Sequence, residues 1–266
     1  MKIIFVGDIV GRPGRTAFRR WLPGLAEEFG ADLVIANAEN AAAGFGVTAN
    51  VVKELLEAGA QVLTSGNHIW RNKEVSSVLG VEPRLLRPAN YPQVTPGPGC
   101  GVFEAPGGRR VGVLNLCGRT FMDPLDCPFQ VAERELPSLL EQTSLVVVDI
   151  HAEATSEKLA MGWHLDGRVS AVIGTHTHVQ TADEQILPKG TGYLTDVGMT
   201  GPKESILGIK GELIMQRFLT RMPIKFEIPG GPAVLSAVAL EVDDASGRCL
   251  SIERIQRTGP TEDPAE

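Results

Sequence analysis

The sequence predicts an α/β fold of one large domain, with two mixed β-sheets packed against each other and helices on their outer faces. In the first half of the chain, short apolar runs alternate with segments of helical spacing, which is typical of parallel strands joined by helices. The last third contains apolar runs with little helical spacing between them, which indicates antiparallel pairing. A length of 266 residues with 43% hydrophobic content suits one domain.

Six short runs of apolar and β-branched residues predict the buried strands. These runs are 3–6, 33–36, 61–63, 111–116, 145–150 and 169–173. Between the first two, Pro13 precedes an apolar stripe at helical spacing over 18–25, and Pro23 is expected to kink or split this helix. Thr48 is the predicted N-cap of a second helix, whose apolar positions lie in 51–56.

The later elements follow from proline content and spacing. Residues 83–110 contain six prolines, which predict a long irregular crossing followed by a hairpin. A helix is expected after Lys210. The strands expected after that helix are 224–228, 233–242 and 250–255. The domain is assigned to 1–257, and 258–266, with two prolines and three acids, is predicted to be a frayed tail.

Composition and charge argue against several classes of function. The net charge is −7 and no stretch gathers five basic residues, which disfavours binding to duplex nucleic acid. Four cysteines without C-x-x-C spacing disfavour a disulfide scaffold and a thiolate metal site. No apolar run reaches the roughly 18 residues that span a membrane, so we expect a cytoplasmic protein without a membrane partner. Assembly into a symmetric homo-oligomer is the default expectation for such a protein.

Side chains that can perform chemistry follow five of the predicted strands. In chain order they are Asp8, Glu39, Asn40, Asn67, His68, His151, His176 and His178. Parallel strands deliver their carboxyl ends to one edge of a sheet, where ligands bind in α/β proteins, so we expect these side chains to meet there. Four of the five histidines belong to this set, a concentration that packing does not explain.

Each of these residues also has a structural interpretation. Asp8 can cap the helix that follows it, and Glu39 can pair with an arginine at the surface. Asn67 can be a turn residue, and His68 can pack in the same turn beside Trp70. Taken together these interpretations are disfavoured, because independent caps and turns need not all fall at strand ends.

The types of these side chains indicate the chemistry of the site. Carboxylates, amides and imidazoles without a thiolate suit manganese, iron or zinc, and are too rich in nitrogen for magnesium. One metal ion needs three or four protein ligands, and the set exceeds that number. Two ions that share a carboxylate would use it fully, lower the pKa of a bridging water and direct the resulting hydroxide at phosphorus. The sequence therefore predicts dinuclear hydrolysis of a phosphate ester.

The order of these residues resembles the signature of the calcineurin-like metallophosphoesterases. It comprises Gly7-Asp8, an acid after the second strand, Gly66-Asn67-His68, a lone histidine after a strand, and Gly174-Thr175-His176-Thr177-His178. Longer segments are similar to the YmdB-type branch of this family. They are 7–15, 37–40, 65–68, 151–158 and 195–202. The resemblance extends from residue 3 to about residue 202 and implies a four-layer α-β-β-α sandwich.

The resemblance also implies a role for each residue. The residues implied to hold the metals are Asp8, Asn40 and His178 at the first ion, Asn67, His151 and His176 at the second, and Glu39 as the bridge. His68 is implied to face the substrate, where it stabilises the pentacoordinate transition state and protonates the leaving oxygen. Substrate-binding residues are not implied.

Two departures from the general family bear on the metal. The first motif of the family is usually Asp-x-His, whereas Asp8-Ile9-Val10 lacks that imidazole, and Glu39 stands where an aspartate usually bridges. Asn40 is taken to replace the missing imidazole, since Glu-Asn is the form that the branch itself has. A carboxamide favours a harder ion than zinc, so iron or manganese is expected ahead of zinc.

Three functions are open at this stage. The resemblance implies a phosphodiesterase for small diesters such as 2′,3′-cyclic nucleotides. A regulatory protein that keeps its metals and senses a phosphate or nucleotide with little turnover needs the same ligands. A nucleotide-binding module without hydrolysis is disfavoured, because the glycines over 7–14 do not have G-x-G-x-x-G spacing and the histidines stay unexplained.

A few polar residues outside this set keep two interpretations. His164 lies in a helical stretch and is interpreted as structural. Glu153 and Thr155 follow His151 closely, as partners of the ligands or as helix caps. Asp196, which ends a strand, lines the mouth of the pocket or belongs to a tight turn.

Overall fold

The structure is a computed structural model of the protein, and it describes residues 1–260. In this range the helices, α1 to α6, are Gly11–Phe29, Ala49–Glu57, Val75–Leu79, Pro128–Leu140, Thr155–Leu165 and Gly211–Thr220. The strands, β1 to β13, are Lys2–Val6, Asp8–Ile9, Leu33–Asn37, Val62–Thr64, Cys100–Ala105, Arg109–Cys117, Val146–His151, Ala171–Thr175, Gln185–Ile186, Gly192–Leu194, Met199–Pro202, Ala233–Val242 and Cys249–Gly259. Asn67–Arg71 form a short 3-10 helix after β4.

The strands form two mixed sheets, as predicted. The first sheet has the order β2-β11-β12-β1-β3-β4, with β13 on the other edge of β12. In it β1, β3 and β4 are parallel, and β12 is antiparallel to β1 and β13. The second sheet has the order β5-β6-β7-β8-β10-β9, of which β6, β7, β8 and β10 are parallel.

Alternating side chains of the strands fill three separate cores. In β1, Ile3 and Phe5 belong to the core between the two sheets, together with residues of β6, β7 and β8. The intervening Ile4 and Val6 belong to the core between the first sheet and helices α1 and α2. A third core lies between the second sheet and helices α4 and α5. Because both faces of the central strands are covered, β1, β3 and β8 are almost wholly buried, and the layers are α-β-β-α.

The path of the chain through the sheets differs from the expectation of a parallel half and a separate antiparallel half. The antiparallel strands β12 and β13 complete the sheet that β1, β3 and β4 begin, while the middle of the chain forms the second sheet. The predicted strand ends therefore belong to two sheets, which face each other across the central core. Strand pairing depends on tertiary contacts, so an apolar run in the sequence does not show which sheet its strand joins.

Three further predictions about single elements differ from the structure. The predicted strand 224–228 pairs with no strand within residues 1–260, because Pro223 and Pro229 bracket it and proline cannot donate to a ladder. Helix α1 is not split at Pro23. This proline is exposed, so water can bond to the backbone carbonyl that lacks a helical N–H partner there. Of the predicted tail 258–266, residues 258–259 pair with β12, and 261–266 lie outside the described residues.

The predicted N-cap is confirmed, because the hydroxyl oxygen of Thr48 accepts from the Val51 N–H at 3.3 Å. The predicted irregular crossing and hairpin are confirmed by β5 and β6, which pair antiparallel after a stretch without long elements. Within residues 1–260, no helix is both long and apolar enough to cross a lipid bilayer.

Candidate metal centre

All eight residues of the predicted set lie at the facing carboxyl edges of the two sheets. The first sheet contributes Asp8 at β2, Glu39 and Asn40 after β3, and Asn67 and His68 after β4; the second contributes His151 at the end of β7, and His176 and His178 after β8. Asp8 and Glu39, from the first sheet, and His151, from the second, are fully buried. The expected meeting of these strand ends is therefore observed, across two sheets rather than along one.

Unusual backbone brings the edges this close. A Cβ at Gly66 would overlap the His151 ring and the Glu39 carboxylate, so only glycine fits before the 3-10 helix. His176 and His178 have φ values of 97° and 64°, which residues other than glycine rarely adopt. Strained residues of this kind persist where the surrounding structure fixes them, and they cluster at functional sites.

The first ligand group consists of Asp8, Asn40 and His178, with Glu39. One atom each of Asp8, Glu39 and His178 lie within 4.8 Å of one another. The amide nitrogen of Asn40 lies 2.8 Å from Glu39 Oε1 and 3.3 Å from His178 Nε2, so Asn40 stands between them. The other ring nitrogen of His178 contacts the carbonyl oxygen of Leu207 at 3.1 Å.

The second ligand group consists of His151 and His176, again with Glu39, and Asn67, which is predicted to join it, begins the 3-10 helix after β4. One atom each of Glu39, His151 and His176 lie within 4.8 Å of one another. His151 Nε2 is 3.1 Å from Glu39 Oε2 and 3.0 Å from His176 Nδ1. Glu39 therefore contributes to both groups, and its two carboxylate oxygens face opposite sides of the site.

The residues present fit a pair of cations. Among residues 1–260, Asp8 Oδ1 and Asn67 Oδ1 are buried oxygens without a hydrogen-bond partner, and both residues belong to the predicted ligand set. A buried acceptor left unpaired costs about 1–3 kcal/mol, so each oxygen calls for an ion or a donor. The two carboxylates, two amides and three imidazoles are also the donor types that first-row transition metals take.

Charge in the site is divided unevenly between the two histidines of the second group. Burial by itself lowers the pKa of His151, but Glu39 and Asp8 raise that pKa to about 9. Burial and the adjacent His151 lower the pKa of His176 to about 3. Burial raises the pKa of Glu39, but His151 outweighs it and the pKa lies well below the usual value. At neutral pH the proton on His151 thus occupies the place that a cation would take.

A buried relay orients His151, and sequence reasoning missed it. Thr175 Oγ1 donates its only proton to Asp149 Oδ1 at 2.7 Å, so it accepts from His151 Nδ1 at 2.8 Å. Nε2 of His151 is then directed at the ligand groups. Asp149 also accepts from Thr64 at 2.5 Å and from Asn37 at 3.0 Å. The available signal was a carboxylate inside the otherwise apolar run 145–150.

His68 lies beside the first ligand group. Its Nδ1 is 2.9 Å from Asn40 Oδ1, and its backbone N–H donates to Glu39 Oε2 at 3.1 Å. The Phe45 ring contacts the His68 ring edge-on at a centroid distance of 5.2 Å. Trp70 contacts Tyr91 in a tilted arrangement at a centroid distance of 5.3 Å, whereas the aromatic ring beside His68 is that of Phe45.

Two residues with open interpretations have structural contacts. His164 pairs with Glu133 at 2.8 Å on the outer face of α5, which supports its structural interpretation. Asp196 is buried rather than at the mouth of a pocket. Its carboxylate accepts from Lys158 at 2.6 Å and from the backbone N–H of Thr177 at 3.0 Å, which anchors the loop that carries His176 and His178.

Two solved structures share the architecture. A hypothetical protein from Thermus thermophilus has a TM-score of 0.91 and 45% identity, covering 98% of this chain and 100% of its own. A novel phosphatase from Mycoplasma pneumoniae has a TM-score of 0.91 and 36% identity, covering 99% of this chain and 95% of its own. Fold and site together define the class, which is that of the metallophosphoesterases with the calcineurin-like fold, and the chain is a hydrolase.

Sequence comparison narrows the class. The model of the family described as "YmdB-like protein" matches residues 4–255. The 2′,3′-cyclic-nucleotide 2′-phosphodiesterase of Bacillus subtilis (strain 168) is 48% identical and covers 96% of each chain. A putative phosphatase/phosphodiesterase of Mycoplasma pneumoniae is 37% identical, over 96% of this chain and 92% of its own. The chain therefore belongs to the YmdB-like family, which confirms the resemblance and extends it past residue 202.

Proposed function

We propose that the protein is a dinuclear metal-dependent phosphodiesterase that hydrolyses small diesters, with 2′,3′-cyclic nucleotides as the leading substrates. The observation that carries this proposal is the pair of ligand groups that share Glu39. The relative from Bacillus subtilis, 48% identical and named for cyclic-nucleotide hydrolysis, supports the substrate class.

The proposed ligands follow the two groups. They are Asp8, Asn40 and His178 at the first ion, Asn67, His151 and His176 at the second, and Glu39 at both. Two oxygen donors and one imidazole at the first ion form the harder of the two sets, so iron or manganese suits it better than zinc. When bound, the pair supplies a water nucleophile of lowered pKa and neutralises the charge of the phosphoryl oxygens.

Burial of the site supports hydrolysis because it keeps bulk water away from the groups that act on the substrate and on the attacking water. Glu39 and Asp8 are fully buried, and their carboxylates face inward from the first sheet. In such a low-dielectric site, oriented charges stabilise a transition state more strongly than they would in water. A diester carries one negative charge fewer than a monoester dianion, and the eight residues of the predicted set include no lysine or arginine that would select for the dianion.

His68 is the proposed general acid. Its Nδ1 contacts the side-chain oxygen of Asn40 at 2.9 Å, which fixes the plane of the ring and leaves Nε2 to the substrate. The backbone N–H of His68 is held by Glu39, so the ring keeps a set distance from the bridging carboxylate. With a proton on Nε2, the ring in this position can protonate the leaving oxygen and is left with a lone pair on Nε2. Such a proton transfer contributes typically 10²–10⁴-fold to the rate.

The test compares 2′,3′-cyclic AMP and bis-p-nitrophenyl phosphate with p-nitrophenyl phosphate, using metal-stripped protein and protein reloaded with manganese or iron. We expect the reloaded protein to turn over both diesters faster than the monoester, and the stripped protein to be inactive. A preference for the monoester would overturn the assignment of substrate class. Binding of 2′,3′-cyclic AMP without hydrolysis by the reloaded protein would replace the enzyme with a sensor.

A further inference from the structure

We propose that Glu153 is a positioning residue that fixes which ring nitrogen of His176 faces the ligand groups. The inference rests on the proposed function, because His176 is a proposed ligand of the second ion. Glu153 itself stands outside both groups and is 52% exposed, so it acts through His176 rather than on a metal or a substrate.

The two nitrogens of the His176 ring face different partners. Nε2 lies 3.1 Å from Glu153 Oε2, on the outer side of the site. Nδ1 lies 3.0 Å from His151 Nε2, on the inner side, where His151 meets the Glu39 carboxylate. The ring therefore spans the distance from an outer carboxylate to the centre of the second group.

This placement determines the tautomer of His176. An ionised carboxylate only accepts hydrogen bonds, so the ring nitrogen that faces Glu153 must carry the proton. A neutral imidazole has a single N–H, and Nδ1 is left with a lone pair directed at the second group. In the other tautomer, Nδ1–H would point into the place of the cation and block coordination.

His151 is oriented in the same way as His176, but through the opposite ring nitrogen. His151 has its Nδ1 proton held by the Thr175 hydroxyl, which leaves Nε2 for the ligand group. His176 has its Nε2 proton held by Glu153, which leaves Nδ1. Partners that hold the second nitrogen of a ligand histidine raise its basicity and fix its plane.

The helix-cap interpretation of Glu153 and Thr155 is not supported. Helix α5 begins at Thr155, its N-cap residue is Ala154, and within the described chain no side chain bonds to the helix end there. Glu153 precedes the cap and faces His176 instead. Thr155, as the first helical residue, has neither role.

The backbone of His176 is held independently of Glu153, which makes the proposal testable. The His176 N–H donates to Asp8 Oδ2 at 3.2 Å, and the following Thr177 is anchored by Asp196. Loss of the half-exposed Glu153 side chain thus frees the ring without releasing the loop. We expect Glu153→Ala to fold as the parent does.

The experiment uses Glu153→Ala and Glu153→Gln, with Glu141→Gln as a matched control on an exposed glutamate at the end of α4. The tautomer of His176 is read from ¹⁵N-histidine NMR of the metal-stripped proteins, with a His176→Ala spectrum to assign the signal. Manganese affinity at both ions is then measured by calorimetric titration.

We expect the parent and Glu141→Gln to show the Nε2–H tautomer, and Glu153→Ala to show a mixture. Affinity for one ion should fall by roughly 10–100-fold in Glu153→Ala while the other is unchanged. Glu153→Gln, whose amide oxygen still accepts from Nε2–H, should recover most of both readouts. An unchanged tautomer and unchanged affinities in Glu153→Ala would overturn the proposal.

The two readouts also separate this inference from the proposed function. If the parent binds no pair of ions, the dinuclear proposal fails. The tautomer measurement needs no metal and still decides whether Glu153 sets the ring of His176.

Discussion

One histidine of each ligand group is supported in a different way. In the second group, His151 is fully buried at the end of β7, and its ring is held by the buried Thr175 and Asp149. In the first group, His178 lies in a loop with left-handed backbone, and its ring is held by the carbonyl oxygen of Leu207, another residue with positive φ. The core fixes one histidine, and surface loops fix the other.

This difference between His151 and His178 predicts that the two groups bind their ions with different affinities. Side chains that are held by packed strands keep their geometry when no ion is bound. Side chains that are held by loops lose it more easily, because loops open locally at a low cost in free energy. We therefore expect the second group to bind its ion more tightly and the first group to lose its ion first. Glu39, which belongs to both, links the two.

The largest effect is expected from Glu39→Gln, which removes the charge shared by both groups. Without it the two ions repel each other and lose a common ligand. We expect a fall in kcat/KM of at least about 10³-fold, since the full electrostatic stabilisation of the transition state is lost, with fewer than one ion bound per chain. Steady-state kinetics and elemental analysis measure the two quantities.

The matched control for this variant is Glu241→Gln, an exposed glutamate on β12 of the same sheet. It should bind and turn over as the parent does. Two ions per chain in Glu39→Gln would show that neither group needs the shared carboxylate, and the comparison of the two groups would lose its basis.

The next effect is expected from His68→Ala, which touches neither proposed ion. Turnover should fall by about 10²–10⁴-fold, the usual contribution of a general acid, while both ions stay bound. Kinetics with a substrate whose leaving group needs no protonation should show a smaller loss. Full turnover with normal metal content would remove His68 from the mechanism.

A smaller and selective effect is expected from Thr175→Val, which removes the relay under His151 at nearly constant volume. Affinity for the ion of the second group should fall by roughly 10–100-fold, and the first group should be unaffected. Unpairing of Asp149 should also cost about 1–3 kcal/mol of unfolding free energy. Calorimetric titration and chemical denaturation measure these changes, and equal weakening of both groups would contradict the proposed separation.

The last effect, on stability rather than on turnover, is expected from removal of the metals with a chelator. An ion at 100 times its dissociation constant adds about 2.7 kcal/mol to stability, so restored manganese should raise Tm by several degrees. Hydrogen exchange should show the gain of protection mainly at His178 and around Leu207, rather than in β7. Protection gained equally in β7 would mean that the second group is no better ordered than the first.

Much of the site was predictable because strand ends carry a local signal. An apolar run that stops at a carboxylate, an amide or an imidazole marks where a strand meets the sheet edge, and all five of the relevant runs ended there. The residues of the site could therefore be named from the sequence, although the two sheets that carry them could not. Which sheet a strand joins depends on pairing partners far away in the chain, such as β12 with β1.

The supports of the site were less predictable. Asp149 lies inside strand β7, where its role depends on Thr64 of β4 and Thr175 of β8, and through Thr175 on His151. The predicted strand 224–228 shows the opposite error, because an apolar alternation was present but no neighbouring strand was available to pair with it. In both cases the deciding contacts are tertiary.

The central claim is that two ions share Glu39, and the count of ions tests it most directly. Protein saturated with manganese, freed of excess ion and analysed for elements should contain two ions per chain. One ion per chain, or none after saturation with either manganese or iron, would contradict the account.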